Sequence, residues 1–140
     1  MKVTLFWRGD MGAPPSHYAR SVINGVIDSA KAVTLATELT THTKCNLAKR
    51  SESTLTIIND APPVGTPPVN VDRRGIIYFQ NPVDFSVKRL TLASPADADV
   101  EDAEGGERYT AAAGLAIVAL INTATGASYN FLWGKVIQVT

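Results

Sequence analysis

Gly114-Leu115-Ala116-Ile117-Val118-Ala119-Leu120-Ile121 is the stretch whose reading decides the fold class. Taken with Gly75-Ile76-Ile77-Tyr78-Phe79 and Phe85-Ser86-Val87-Lys88-Arg89-Leu90-Thr91-Leu92, it reads as a strand of a compact antiparallel domain. All three runs are short and apolar or alternating, and they sit between Pro-, Gly- and Asp-rich connectors. The second and third form the strongest expected pair, joined by Asn81-Pro82-Val83-Asp84, with a bulge near Lys88-Arg89 to repair an imperfect alternation.

Upstream, Lys2 to Arg8 reads as a first strand with Val3, Leu5 and Trp7 on one face. Gly9 to Pro15 must be a loop, because its glycines and paired prolines break a ladder. Its Arg8-Gly9-Asp10 tripeptide matches an integrin-recognition motif, but a strand end and turn explain it as well. Tyr18, Val22, Val26 and Ala30 recur every four residues and predict a helix from about residue 17 to 30, capped by Ser16. Residues 32–45 either continue that helix or form a strand, and the strand is favoured because Val33, Leu35, Thr37 and Leu39 alternate among threonines. Residues 54–59 predict another, followed by a stiff proline-rich connector at 60–68. Ser128 to Trp133 and Gly134 to Thr140 complete the list, with a turn at 122–126 using the freedom of Gly126. The expected fold is mainly β: an antiparallel sandwich or barrel with one short helix. Residues 1–15 form an N-terminal strand and arm, and residues 16–140 a single domain.

The chain has 140 residues, a length that can bury a core without a metal or disulfide. Its formal charge is zero but uneven. Residues 1–50 carry seven basic and three acidic groups, whereas residues 91–140 carry two basic and six acidic ones. This balance lacks the strong positive field of a nucleic-acid binder and leaves room for head-to-tail pairing of copies. The apolar run ending at Trp7 is too short for a signal peptide, and no run is long enough for a membrane helix.

Residues that carry chemistry are sparse. Cys45 is the only cysteine and reads as a small buried hydrophobe. His17 and His42 belong to no metal-ligand motif, and no phosphate loop or nucleophile motif occurs. Asp97, Asp99, Glu101, Asp102, Glu104 and Glu107 form the one concentrated set of oxygen ligands, but they miss the calcium-loop spacing and read as a solvated loop. No catalytic, cofactor or metal residue is therefore expected. The aromatic stripe Tyr129, Phe131 and Trp133, placed on one strand face, reads as core or subunit interface. Together with Trp7 these are the candidate apolar anchors, and Arg73 and Arg74 the candidate charged contacts.

The order of Gly-Ile-Ile-Tyr-Phe-Gln-Asn at 75–81, Val87 to Pro95, Gly114 to Asn122 and Tyr129 to Leu132 resembles the small β domains of tailed-bacteriophage particle proteins, over about half of the chain. That resemblance implies a non-enzymatic structural role. It would be a capsid decoration protein on the outer surface of the virion, assembled in the host cytoplasm. It also implies self-association, with a trimer favoured, and contact with a major capsid or other particle protein. Neither membrane nor nucleic acid is implied as a partner. The alternative within the same resemblance is a tail-fibre or receptor- and glycan-binding domain, whose sign would be an exposed aromatic pair rimmed by Asn or Asp. A small enzyme with an unfamiliar carboxylate site is the third class.

Overall fold

The computed structural model describes residues 1–8, 18–52, 56–58 and 73–138. Along the chain they form β1 (Val3–Arg8), β2 (Tyr18–Ile23), α1 (Ser29–Leu39), β3 (Asn46–Glu52), β4 (Thr56–Ile58), β5 (Arg73–Gln80), β6 (Val87–Ala93), β7 (Val100–Ala103), β8 (Gly106–Tyr109), α2 (Ala111–Thr125) and β9 (Asn130–Gln138). The strands make two open antiparallel sheets, in the orders β2-β1-β3-β4 and β6-β5-β9-β8-β7. Strand β2 runs beside β6, where Ser21 Oγ donates to the Thr91 carbonyl at 2.5 Å. The fold is mixed α and β with two helices, which corrects the expected sandwich or barrel with a single short helix.

The decisive stretch is the reason. Residues 111–125 are helical: Thr110 Oγ1 accepts from the Ala113 amide, and Gly126 closes the far end at φ +72°. Ala113, Gly114, Ile117, Val118, Ile121 and Ala124 point inward, a spacing of three and four residues. Leu115 is 60% exposed on the opposite face, so the run is apolar all round and its helical period is masked in the sequence. Alanines at 111, 112, 113, 116 and 119 supply the helix propensity that a strand reading overlooks. Gly126 does adopt the positive dihedral assigned to it, but as a helix cap.

Residues 18–45 exchange roles in the same way. The expected helix at 17–30 is β2 followed by a loop through Gly25 at φ +82°, and the expected strand at 32–45 begins as α1. Asp28 Oδ1 accepts from the Lys31 amide at 2.8 Å and starts α1 there. Ala32, Leu35, Ala36 and Leu39 are its buried stripe, so the alternation of Val33, Leu35, Thr37 and Leu39 is incidental.

Other expectations meet the structure more directly. β1 buries Val3, Leu5 and Trp7 together, and β4 falls inside the strand expected at 54–59. β5 and β6 pair without interruption from Arg74↔Ala93 to Gln80↔Val87. Phe85 lies in the connecting turn, so no bulge at Lys88-Arg89 is needed. The two strands expected at 128–140 are one, β9, with Gly134 inside it. Gly9 to Pro15, the Ser16 cap and the 60–68 connector lie outside the described residues. The inward faces of both sheets and both helices contribute to one apolar cluster that includes Trp7, Leu35, Leu39, Ile77, Leu90, Leu92, Ile117 and Ile121. Each such aliphatic side chain contributes about 1.5–3 kcal/mol when fully buried.

Candidate functional site

The five-stranded sheet has one face in the core and one toward solvent. On β5, Gly75, Ile77 and Phe79 are buried, so Arg74, Ile76, Tyr78 and Gln80 occupy the outer face. Residues paired across a ladder share a face. Register therefore adds Val87, Arg89 and Thr91 from β6, and Trp133, Lys135 and Ile137 from β9.

Trp133 reaches that face through a bulge. Tyr78 pairs with Trp133 but Phe79 pairs with Phe131, so Leu132 is the extra residue on β9. Phe131 is thereby turned inward onto α2, where its ring lies 2.3–2.6 Å from the place a Cβ on Gly114 would occupy. Trp133 is turned outward and stacks on Tyr78, with ring centroids 4.5 Å apart and planes at 20°. Tyr129, which precedes β9, meets Phe79 edge to face at 5.0 Å and is bracketed by both ends of the Asn122 amide. The expected single-faced stripe of Tyr129, Phe131 and Trp133 is thus corrected: the bulge divides it between core and surface.

Beyond Trp133 the sheet opens. The register of β8 with β9 consists of the Arg108↔Lys135 pair, and N-terminal to it the β7–β8 hairpin stands away from β9. The gap is a groove of about 570 Å³. Ala111, Phe131 and Leu132 supply its apolar lining, Trp133 and Lys135 one wall, and Glu101, Glu104 and Arg108 the other. The Lys135 Nζ lies 5.9 Å from the centre of the Trp133 ring system.

A second exposed feature is the turn between β5 and β6. Val83 is 85% exposed, Phe85 70% and Val87 54%. The backbone beneath them is tightly bonded. Asn81 Oδ1 accepts from the Val83 amide at 2.9 Å, and the Asn81 carbonyl accepts from the Phe85 amide at 2.9 Å. Asp84 Oδ1 accepts from the Ser86 amide at 3.0 Å and hydroxyl at 2.7 Å. Phe85 itself sits at φ +60°, a left-handed conformation that raises the energy of a non-glycine residue by roughly 1–2 kcal/mol. The Ser86 hydroxyl, then the Ser86 amide, holds the Asp84 carboxyl below its ordinary pKa of 3.8. A carboxylate with a depressed native pKa favours the folded turn above that ordinary value and loses the contribution as pH falls through the lowered one. A carbon-detected NMR titration should therefore place the Asp84 midpoint below 3.8, and Ser86→Ala should return it toward that value.

The other sequence candidates are distributed through the fold. Trp7 is wholly buried, and its Nε1 donates to Ser21 Oγ at 2.9 Å, so it offers no surface to a partner. Arg73 forms an ion pair with Glu107 at 2.9 Å, whereas its neighbour Arg74 lies on the outer face. The acidic segment is a 3-10 turn and a hairpin, and its side chains diverge. Asp97 pairs with Lys44 at 2.5 Å, Asp99 with His42 at 2.8 Å, and Glu101 with Arg108 at 2.9 Å. Asp97, Glu101, Asp102 and Glu104 remain exposed, as expected of a solvated segment, and Lys44 and Arg108 offset part of the mutual repulsion. Among the described residues no group of His, Cys, Asp or Glu can hold a metal ion.

The His42–Asp99 pair spans 57 residues of sequence, so no local spacing could have announced it. It joins the turn after α1 to the turn before β7. Nearby, Thr43 Oγ1 donates to the Ala93 carbonyl, and the Lys44 amide donates to that of Ser94 at 2.8 Å. Ser94 is buried at φ +42°, and Cys45 is buried as expected. Tyr109 packs close by, its phenol pushed above the ordinary tyrosine range by burial and, second, by the charge of Asp99. This cluster pins β6 to the start of β3.

No family model matches the chain, and neither curated proteins nor solved structures gave a match.

Proposed function

We propose that the protein is a structural assembly subunit that associates with copies of itself through the β5–β6 turn. One observation carries the reading: Val83 and Phe85 stand in water on a backbone fixed by Asn81 and Asp84. Folding alone gives no reason for a phenylalanine there. Asn or Gly would fit φ +60° with less strain, and neither would expose an aromatic ring. A rigid apolar knob instead suits a pocket on a neighbour, because it forms the contact with little further loss of conformational freedom.

With 111–125 helical, the resemblance to bacteriophage particle proteins keeps only its strands at 75–80, 87–93 and 130–132, and on those it favours a virion as the assembly, with capsid decoration as the role. A threefold arrangement would let three knobs shield one another, and repeated attachment would strengthen individually modest contacts. The glycan-binding alternative draws on the exposed Tyr78–Trp133 pair. Arg89 and Lys135 flank that pair, with Gln80 and Asn130 farther along the strands, so its nearest rim suits an anion better than a neutral sugar.

Phe85→Asn separates association from folding. Sedimentation equilibrium should show a concentration-dependent oligomer for the native chain and a monomer for the variant. Thermal stability should stay level or rise by up to about 1 kcal/mol as the left-handed strain is relieved. A native chain that remains monomeric at every concentration overturns self-association. A variant that still assembles removes the turn from the contact.

A further inference from the structure

We infer that the outer face of the five-stranded sheet binds single-stranded nucleic acid, with a base stacked on Trp133 and the phosphates following Arg89 and Lys135. The face has the two components such binding requires, an exposed aromatic platform and a local excess of cations. Tyr78 stacks on the indole, and the Lys135 Nζ lies over it, 5.9 Å from the ring centre. Trp133 and Lys135 both line the groove between β9 and the β7–β8 hairpin, so an entering base displaces the lysine toward the phosphates. Trp133 remains 50% exposed. Phe131 and Ala111 give the groove an apolar base, and its volume of about 570 Å³ accommodates a planar heterocycle.

The charge on this face differs from that of the whole chain. Among the described residues, register places Arg89, Arg108 and Lys135 on it with Glu101, in a chain of zero formal charge. Glu101 is tied to Arg108 at 2.9 Å, and Glu107, deeper in the groove, to Arg73 at 2.9 Å. Glu104, on the hairpin turn, stands at the groove's far wall and can accept from the exocyclic amino group of an inserted base. The phosphates are thereby directed to the β6 side, over Arg89, and away from the carboxylates. A duplex keeps its base faces stacked and offers none to Trp133, so the site selects single strands. In the sequence Tyr78 stands near the basic Arg73-Arg74 pair, which reads more readily as a salt-bridge or interface contact, and Trp133 joins Tyr78 only through the bulge at Leu132.

The test uses tryptophan fluorescence, because Trp7 is buried and Trp133 is the exposed indole. Titration of the full chain with a short oligodeoxyadenylate at low salt should quench Trp133 saturably. Followed by the anisotropy of labelled oligonucleotide, Trp133→Leu should weaken binding about tenfold to a hundredfold with an unchanged melting curve. Arg89→Gln should reduce the slope of log affinity against log salt by about 0.7. The corresponding duplex should bind more weakly than the single strand. Phe85→Asn should bind like the native chain, which keeps this site distinct from the assembly contact. Absence of quenching, equal affinity of Trp133→Leu, or preference for the duplex would each overturn the inference.

Discussion

Trp7→Ala is expected to lower stability by about 3–5 kcal/mol, the usual range for deleting a wholly buried indole. The loss has two parts. Apolar area and dispersion contacts vanish from the C-terminal end of β1, and Ser21 Oγ loses the Nε1 donor at 2.9 Å. Ser21 also donates to Thr91, so the substitution disturbs the seam where the two sheets meet. Against a typical domain stability of about 5–15 kcal/mol, that loss leaves a large unfolded fraction at ordinary temperature. Urea unfolding followed by far-UV circular dichroism should show the midpoint fall. Trp7→Phe, which keeps most of the ring volume, should retain most of the stability. If Trp7→Ala leaves the midpoint in place and changes only association, Trp7 belongs to an interface and its position in the core is wrong.

Gly75→Ala should rank beside it. A Cβ on Gly75 would lie 1.9 Å from the Tyr109 hydroxyl and 2.5 Å from the ring carbon that carries it. The same ring edge lies against Gly134, where a Cβ would be 2.8 Å from its Cδ2, so the phenol packs over both glycines. Alanine's gain in strand propensity over glycine is well under ~1 kcal/mol. Overpacking of a filled core costs about 1–3 kcal/mol, and the contact with both glycines puts Gly75→Ala near the upper end. Calorimetry should record the drop in melting temperature. The double variant with Tyr109→Leu should recover part of it relative to the sum of the single effects, since the clash then has no second partner. Strict additivity would mean that the ring is not what excludes a side chain at Gly75.

The elements legible from sequence are those whose period matched their environment. β1 alternates because one side faces the core, and the β5–β6 pair announced itself through two alternating runs and a short polar turn. The helices were illegible for opposite reasons. α2 is apolar on its exposed side as well, so its buried stripe does not stand out from Leu115, Ala116 and Ala119. α1 is short, and its threonines suggested extension while its buried stripe also satisfied an alternating count. Thr34 and Thr37 instead return their hydroxyls to the helix, donating to the Ala30 and Val33 carbonyls.

The candidate surfaces divide in the same manner. Sequence placed Trp133 among candidate contact residues but on the wrong set of neighbours, because a one-residue bulge reverses the phase of everything before it. It passed over Phe85 as a strand residue. The signal available was local: Asn81 and Asp84, each able to bond the backbone two residues on, bracket a turn that leaves Phe85 at its end.

By itself, the sequence determined the strands at both ends of the charge gradient, the buried solitary cysteine, and a set of aromatic residues worth following. Only the tertiary structure decided that 111–125 is helical, that His42 meets Asp99, and that Trp133 and Tyr78 stand together facing solvent. Periodicity is a property of neighbours along the chain, whereas helix choice in a uniformly apolar run, distant ion pairs and ladder register depend on what packs alongside.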